Sequence, residues 1–392
     1  MKKRITGNNQ FIKEMNKSIV LDLIRVTKGI SRKLLADSTG LSPTASGAIV
    51  RSLLQEGYIR EIGEGESSGG RKPIILELNP RSYFSFGFDI DMRFIYTVVL
   101  DITGEVIYRN KILNNTELSV NQALSILGGE FKKAVENLNI DKSRILGVGV
   151  SVPGMLDIKS KRIILAPNLG WSDAELLEPL QEKVGVTVYL DNESMCSASC
   201  ENWLGLCREV EDFICINIES GIGSGMFMRG KMYRGFSGSA GEVGHIRVDE
   251  NGIPCKCGNK GCLETIASIK GMVERALHKK IITESDSDKA FETLLKKAKS
   301  GDTESLGIFH DAAISLGKAV ANLINTINPQ KIVLGKRFSE YSELVIDTIR
   351  ETALKYALPY PSERTEIIPS SFGEDSSALG AAIIPLRKLF GR

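Results

Sequence analysis

Residues 16–28, NKSIVLDLIRVTK, place apolar side chains at Ile19, Val20, Leu23, Ile24 and Val26. That is the spacing of a helix with one buried face. The following stretch, ISRKLLADSTGLSPTASGAIVRSLLQEGYIREIG, predicts two more helices. Ser31 caps the first, Leu34, Leu35 and Ala36 point inward, and Gly40 ends it. Ser42 caps the second, Pro43 stands in its first turn, where proline is favoured, and Ile49, Val50, Leu53 and Leu54 form its apolar face. Tyr58-Ile59-Arg60 and Ile74–Leu78 then predict two strands around a glycine-rich tip, GEGESSGGRKP. Two helices joined by a short glycine turn, followed by a hairpin, make a winged helix-turn-helix, assigned to residues 1–80.

From Tyr83 the texture changes. SFGFDIDMRFIYTVVLDITGEVIYRN predicts three strands joined by tight turns, and residues 119–138 a helix. Strands follow at Ile145–Val152, Val186–Leu190, Phe213–Ile218 and Lys331–Gly335, with helices through Glu201 and over 304–327. SGIGSG, from Ser220 to Gly225, reads as a glycine turn after its strand, and Ile281–Gly301 as helical surface. The fold class is therefore α/β, with polar residues gathered at strand ends, where such proteins place their sites.

Charge separates the two parts. Residues 1–80 hold thirteen Lys/Arg against eight Asp/Glu, a net of +5, while the whole chain carries +2, so the remainder nets −3. A basic helical unit on a near-neutral body points to an anionic partner for that unit, namely double-stranded DNA. Ser42, Thr44, Ala45 and Arg51 face outward from the second helix for the major groove. Arg71 and Lys72 on the wing suit phosphates or a narrow minor groove. No apolar run long enough to span a membrane and no signal peptide is read in the chain, and scattered apolar-flanked Cys196, Cys200, Cys207 and Cys215 fit buried thiols in a reducing cytoplasm.

The remaining three of the seven cysteines fall in CKCGNKGC, Cys255 to Cys262. Cys255, Cys257 and Cys262 supply three thiolates, and His245, ten residues upstream, supplies a fourth ligand. Four protein donors close a tetrahedral site, so the expected metal is a structural zinc, Zn2+. It would pin a loop that carries Glu242 on one side and Glu264 on the other.

The run from Ile218 to Glu264, with GEVGH and CKCGNKGCLE, resembles the signature block of the ROK family of sugar-dependent repressors, sugar kinases and uncharacterised frames. SRKLLADSTGLSP and ESSGGRKP resemble its repressor branch, of the xylose-repressor type. The resemblance spans essentially the whole chain. It implies a two-lobed, actin-like, ribonuclease-H-type sugar-binding domain over 81–392, with lobe one about 81–190 plus the C-terminal helix and lobe two about 191–374. It also implies a sugar in the cleft, held by Gly154, Asn168, Asn192, Glu193, Glu242, His245 and Glu264.

Family kinases are expected to carry an Asp-x-Gly-Gly-Thr phosphate turn, a glycine pair after the late strand, and an Asp after the sugar-site Asn. Here stand Asp89-Ile90-Asp91-Met92-Arg93, Gly335-Lys336-Arg337 and Asn192-Glu193. Side chains block the approach of backbone N–H groups to phosphate, and the extra methylene of Glu193 displaces the base. The reading is a non-enzymatic, sugar-responsive repressor, released from operator DNA by sugar and acting as a homodimer or homotetramer. The alternative is an ATP-dependent sugar kinase with a DNA-binding head.

Overall fold

The computed structural model describes residues 9–64, 72–114, 118–157 and 160–391. Arg71 and most of the tip between the first two long strands lie outside them.

The N-terminal unit contains α1 (Asn9–Thr27), β1 (Ile30–Ser31), α2 (Arg32–Thr39), α3 (Pro43–Gln55), β2 (Ile59–Glu64) and β3 (Ile74–Leu78). The strands form one antiparallel sheet in the order β1-β3-β2. Ser31 and Ser42 cap α2 and α3 through their hydroxyls, and Gly40 ends α2 in the left-handed region. Leu35 and Ala36 are buried as expected, but Leu34 is 50% exposed. It is one position out of phase with the inward stripe. Ile19 and Val26 of α1 also turn outward, while Val20, Leu21 and Ile24 are buried.

Lobe one follows: β4 (Phe84–Ile90), β5 (Phe94–Asp101), β6 (Val106–Leu113), α4 (Val120–Leu138), β7 (Ile145–Val152), β8 (Met155–Asp157), β9 (Arg162–Ala166), β10 (Trp171–Ala174), α5 (Leu177–Val184) and β11 (Val188–Asn192). Then comes α6 (Glu193–Trp203). Lobe two holds β12 (Phe213–Ile218), β13 (Ile222–Met228), β14 (Lys231–Tyr233), α7 (Glu264–Ala267), α8 (Ile269–His278), α9 (Ser287–Lys299), α10 (Thr303–Ile327), β15 (Lys331–Lys336), α11 (Ser342–Tyr356), α12 (Pro359–Ser362) and β16 (Glu366–Pro369), and α13 (Ser376–Leu389) closes the order.

The two five-stranded sheets repeat one plan. Lobe one runs β11-β7-β4-β5-β6 and lobe two β14-β13-β12-β15-β16. In each, three strands meander antiparallel, and the first of them pairs in parallel with the fourth, which pairs in parallel with the fifth. The carboxyl ends of the parallel strands in both sheets face the same region, where open α/β sheets bind their ligands.

Helices α6 and α13 join the lobes. Gly87 and Gly149 let the α13 backbone lie against β4 and β7: a Cβ on either would fall 2.0 or 1.9 Å from the carbonyls of Ala378 and Ala381. Helix α6 is small-residue rich and buried nearly all round. It packs on β13, and this corrects the reading of SGIGSG. Only 219–221 turn; Gly223 and Gly225 lie inside β13, where added side chains would strike Ser194. Those two glycines therefore serve helix–strand approach. Likewise α9 is more than surface, because Ala290, Phe291, Leu294 and Ala298 enter the core of lobe two.

The core beneath the N-terminal unit is shared. Val20, Leu21, Ile24, Leu35, Val50 and Leu53 belong to one apolar cluster with Val98 and Leu100 of β5, Trp203 of α6 and Leu379, Leu386 and Phe390 at the C-terminal end. Arg25 of α1 lies over the Trp203 ring at 4.0 Å, and Trp203 meets Phe390 at 5.7 Å between centroids.

Candidate functional site: an interlobe cleft beside a metal cradle

Strand β11 ends at Asn192, and the side chain of Asn192 begins α6. Its Oδ1 accepts from the Ser194 and Met195 N–H groups at 2.8 and 3.3 Å. Its Nδ2 donates to the Gly154 carbonyl at 2.8 Å. Gly154 sits at φ +101°, with the Leu165 carbonyl 2.2 Å from where a Cβ would stand. Only glycine fits that turn against β9. Asn168 is exposed in the β9–β10 turn, and the structure gives its side chain no hydrogen bond to the others among the described residues.

Glu193 opens α6 beside a buried lysine. Lys336, at the end of β15, is 1% exposed. Its Nζ lies 3.1 Å from Asp89 Oδ2 of β4, 3.4 Å from Glu193 Oε1, 3.6 Å from Glu219 Oε2, and donates to the Glu374 carbonyl at 3.0 Å. Ser151 Oγ of β7 donates to the other oxygen of Asp89 at 2.6 Å. Burial opposes the charge on Lys336, yet Asp89, Glu219 and Glu193 outweigh it and hold its pKa well above the ordinary lysine range. Burial raises all three carboxyls against the pull of Lys336, and Glu193 is pushed up to about 7.

Further cross-lobe pairs surround this knot. Arg234, after β14, holds Asp191 of β11 through two parallel bonds of 2.7 and 2.6 Å. Arg93, in the β4–β5 turn, bonds Asp288 and lies 3.5 Å from Asp286 near the start of α9. Arg337 bonds Asp288 at 2.6 Å. A cavity of about 170 Å³ is lined by Asp91, Arg93, Tyr96, Glu219, Arg337 and Glu374, among others. Another, of about 570 Å³, lies away from this chemistry, between the N-terminal unit and lobe one, beside Asn79, Arg81 and Arg144.

On the far side of the Glu219–Gly221 turn lies the second cluster. The ligand atoms of His245, Cys255, Cys257 and Cys262 all fall within 4.8 Å of one another. Cys257 Sγ and Cys262 Sγ are 3.6 Å apart, and Cys255 Sγ is 3.7 Å from His245 Nδ1. Metal–ligand bonds of about 2.0–2.3 Å in a tetrahedron span edges of that order. The donors present therefore fit a metal. A backbone bond from Asn259 draws the exposed Cys257 thiol down to about 7. Gly261 closes the loop at φ +69°, with the Asp249 carbonyl 1.7 Å from an added Cβ.

The cradle orients three of the predicted residues. His245 Nδ1 faces the thiols, and Nε2 faces Glu242 at 4.0 Å. Glu264 Oε1 lies 3.6 Å from His245 Nδ1 and 3.0 Å from Cys255 Sγ. Its other oxygen reaches the Gly221 edge of the turn. Burial raises Glu242 against the pull of His245. Gly154, Asn192 and Glu193 thus come together at the start of α6, Glu242, His245 and Glu264 come together at the cradle, Asn168 stands apart from both groups, and none of the seven lines either cavity. Sequence reasoning missed Glu219 and the partnership of Lys336 with Asp89. A lysine after a strand-end glycine was the available signal.

Thr44, Ala45 and Arg51 stand exposed on α3, with Ser42 at its cap, Lys72 is exposed before β3, and Arg71 lies outside the described residues. Exposed Ala48 shares the outward face and was not singled out.

Comparison with known proteins agrees with this layout. The family model described as "ROK family" matches residues 86–388. A xylose repressor of Bacillus subtilis (strain 168) is 31% identical over 381 residues, covering 96% of each chain. A solved ROK family transcriptional regulator, a homologue of the Escherichia coli MLC protein, superposes with TM-score 0.83 at 25% identity, covering 97% of each chain. A ROK family glucokinase from Streptomyces griseus, solved with glucose and AMPPNP, gives TM-score 0.67 at 26% identity, over 76% of this chain and 98% of that one.

Proposed function

The chain belongs to the ROK family, and we propose that it is a sugar-responsive transcriptional repressor rather than a kinase. Full-length likeness to a xylose repressor and to a ROK regulator supports this, whereas the glucokinase likeness omits about a quarter of the chain. The observation that carries the reading is the corner formed by the ends of β4, β12 and β15. A transferred phosphate needs backbone N–H groups and cations there. Asp91, Glu219 and Lys336 occupy that corner instead, and its cations are already paired with carboxylates: Lys336 with Asp89 and Glu219, Arg93 and Arg337 with Asp288, and Lys111 with Glu374.

The proposed sugar site is the cleft between the two groups of site residues. Asn192 keeps one amide hydrogen beyond its cap and its bond to Gly154. Glu193, Glu242 and Glu264 offer carboxylates, and His245 offers Nε2, all suited to hydroxyls. The metal we assign to the cradle is a structural zinc, held by His245, Cys255, Cys257 and Cys262. Bound there, it would fix the loop between Glu242 and Glu264; it takes no part in chemistry. Gly154 and Asn168 complete the proposed set, with Asn168 joining only if the β9–β10 turn closes on the ligand.

Residues 1–80 are the proposed winged helix-turn-helix, with α3 as the helix that enters the major groove. Ser42, Thr44, Ala45 and Arg51 would meet DNA from α3, and Arg71 and Lys72 from the wing. Helix α6 provides the connection. It begins at the proposed sugar site and ends about 16 Å away, by helical rise, under Arg25 of α1. Sugar that binds one position of α6 better than another shifts the DNA-binding unit with it. The active form is a homodimer or homotetramer acting on a two-fold operator in the cytoplasm. Among the described residues no helix is long and apolar enough to cross a membrane.

Two linked measurements test the reading. Duplex DNA selected from a random pool by the full chain should be released by xylose or glucose, and the same sugar should raise the melting temperature without nucleotide. A shift that requires Mg-AMPPNP, or DNA binding indifferent to every sugar that binds, would overturn it.

A further inference from the structure

Lys336 combines three features that rarely occur together. Its backbone sits at φ 60°, ψ −132°, a region used almost only by glycine. Its side chain is fully buried. Its ammonium is shared among carboxylates from three separate elements, Asp89 on β4, Glu193 on α6 and Glu219 after β12. A non-glycine residue held in such a conformation is strained and persists only where its surroundings dictate it. Three carboxyl groups also converge on the one ammonium, more acceptors than a single ion pair needs. An ordinary packing position calls for neither feature.

The partners reveal what the strain is for. Asp89 belongs to lobe one, Glu219 and Lys336 to lobe two, and Glu193 to the helix between them. Removing Lys336 would leave three carboxylates, from both lobes and the connecting helix, facing one another. The arginine pairs that cross the cleft elsewhere, Arg93 with Asp288 and Arg234 with Asp191, are more exposed and form a rim around this point. We propose that Lys336 is a built-in counter-ion that holds the two lobes closed without nucleotide and positions the Glu193 carboxylate at the head of α6. The second half deepens the sugar-cleft reading and rests on it; the first half stands apart from it.

The test reads lobe closure directly, with no sugar present. Spin labels carried on unnatural side chains replace Lys132 on α4 and Lys296 on α9, both exposed, so the native cysteines stay untouched. The full chain should give one narrow interlobe distance, unchanged by Mg-AMPPNP. Lys336→Met should lengthen and broaden it. Because that variant leaves buried carboxylates unpaired and can fail to fold, Lys336→Met with Asp89→Asn and Glu219→Gln, which keeps Glu193, is measured beside it, and it should fold and still open. A wild-type distance in the triple variant overturns the proposal, whether or not the single variant folds. For Glu193, xylose and glucose are titrated against Lys336→Met and the triple variant. Loss of at least about tenfold in affinity in whichever variant folds supports positioning, and unchanged affinity overturns that half. Failure of the unsubstituted chain to bind either sugar counts against the sugar reading and leaves the closure result standing.

Discussion

Asn192 is first of all a structural residue. Both oxygen contacts and one amide contact of its side chain go to the protein's own backbone. Asn192→Ala should therefore lower unfolding free energy by about 0.5–2 kcal/mol, the usual cost of a lost cap, in chemical denaturation without any ligand. Glu193 gives a pH signature. Its folded pKa is raised from 4.5 to about 7, so between those values the folded chain binds more protons than the unfolded chain. The stability this proton gives is present below about pH 4.5 and is lost as pH rises through about 7. Compared with Glu193→Gln, the native chain should lose stability across that window, and equal pH profiles for the two would refute the assignment. Asp89 and Glu219 face the same lysine and are raised in the same direction, so the comparison must be made against the single variant. Asn192, Glu193 and the motifs of Asp89 and Lys336 stand out in the sequence, but their meeting was not legible there. Asp89, Glu193, Glu219 and Lys336 are separated by up to 247 positions, and only the duplicated sheet topology brings them to one point.

At the scale of elements, legibility followed length and capping. Helix α3, with a serine cap, proline in its first turn and four apolar residues on one face, was readable in full, as were the strands of seven or eight residues in lobe one. The sheet β8-β9-β10 was not, because three to five residues with mixed patterning carry no period. Gly223 and Gly225 misled because glycine marks a turn and a close helix contact equally well. Two predictions belong here. Ser42→Ala should cost about 1 kcal/mol in the stability of the N-terminal unit and weaken DNA binding through the lost cap. Gly380→Ala should destabilise by about 1–3 kcal/mol on thermal denaturation, because its Cβ would fall 1.8 Å from the Cys196 carbonyl, where α13 crosses α6.

For the whole molecule, the proposed function joins the cradle and the N-terminal unit, far apart in sequence, in one switch. Chelation at neutral pH should lower the melting temperature and abolish any sugar-induced shift, and Cys262→Ser should reproduce both effects. A sugar response that survives chelation would separate the metal from the sugar site. Lys72→Ala should weaken DNA binding evenly across sequences and reduce the slope of log affinity against log salt by about 1, whereas Arg51→Ala should also relax sequence preference.

The shared core under the N-terminal unit also bears on the order in which the chain is made. Val20, Ile24 and Arg25 are synthesised early, yet the surface they need includes Trp203 and Phe390, and Ile24 and Phe390 are 366 positions apart. Contacts so distant form late. In a chain still on the ribosome, the part of the α1 face that meets Trp203 and Phe390 stays uncovered until α13 has emerged, although Leu35, Val50 and Leu53 already cover the rest. Full seating of the N-terminal unit thus reports that the two lobes are complete, and a product broken off before α13 would lack part of that seat.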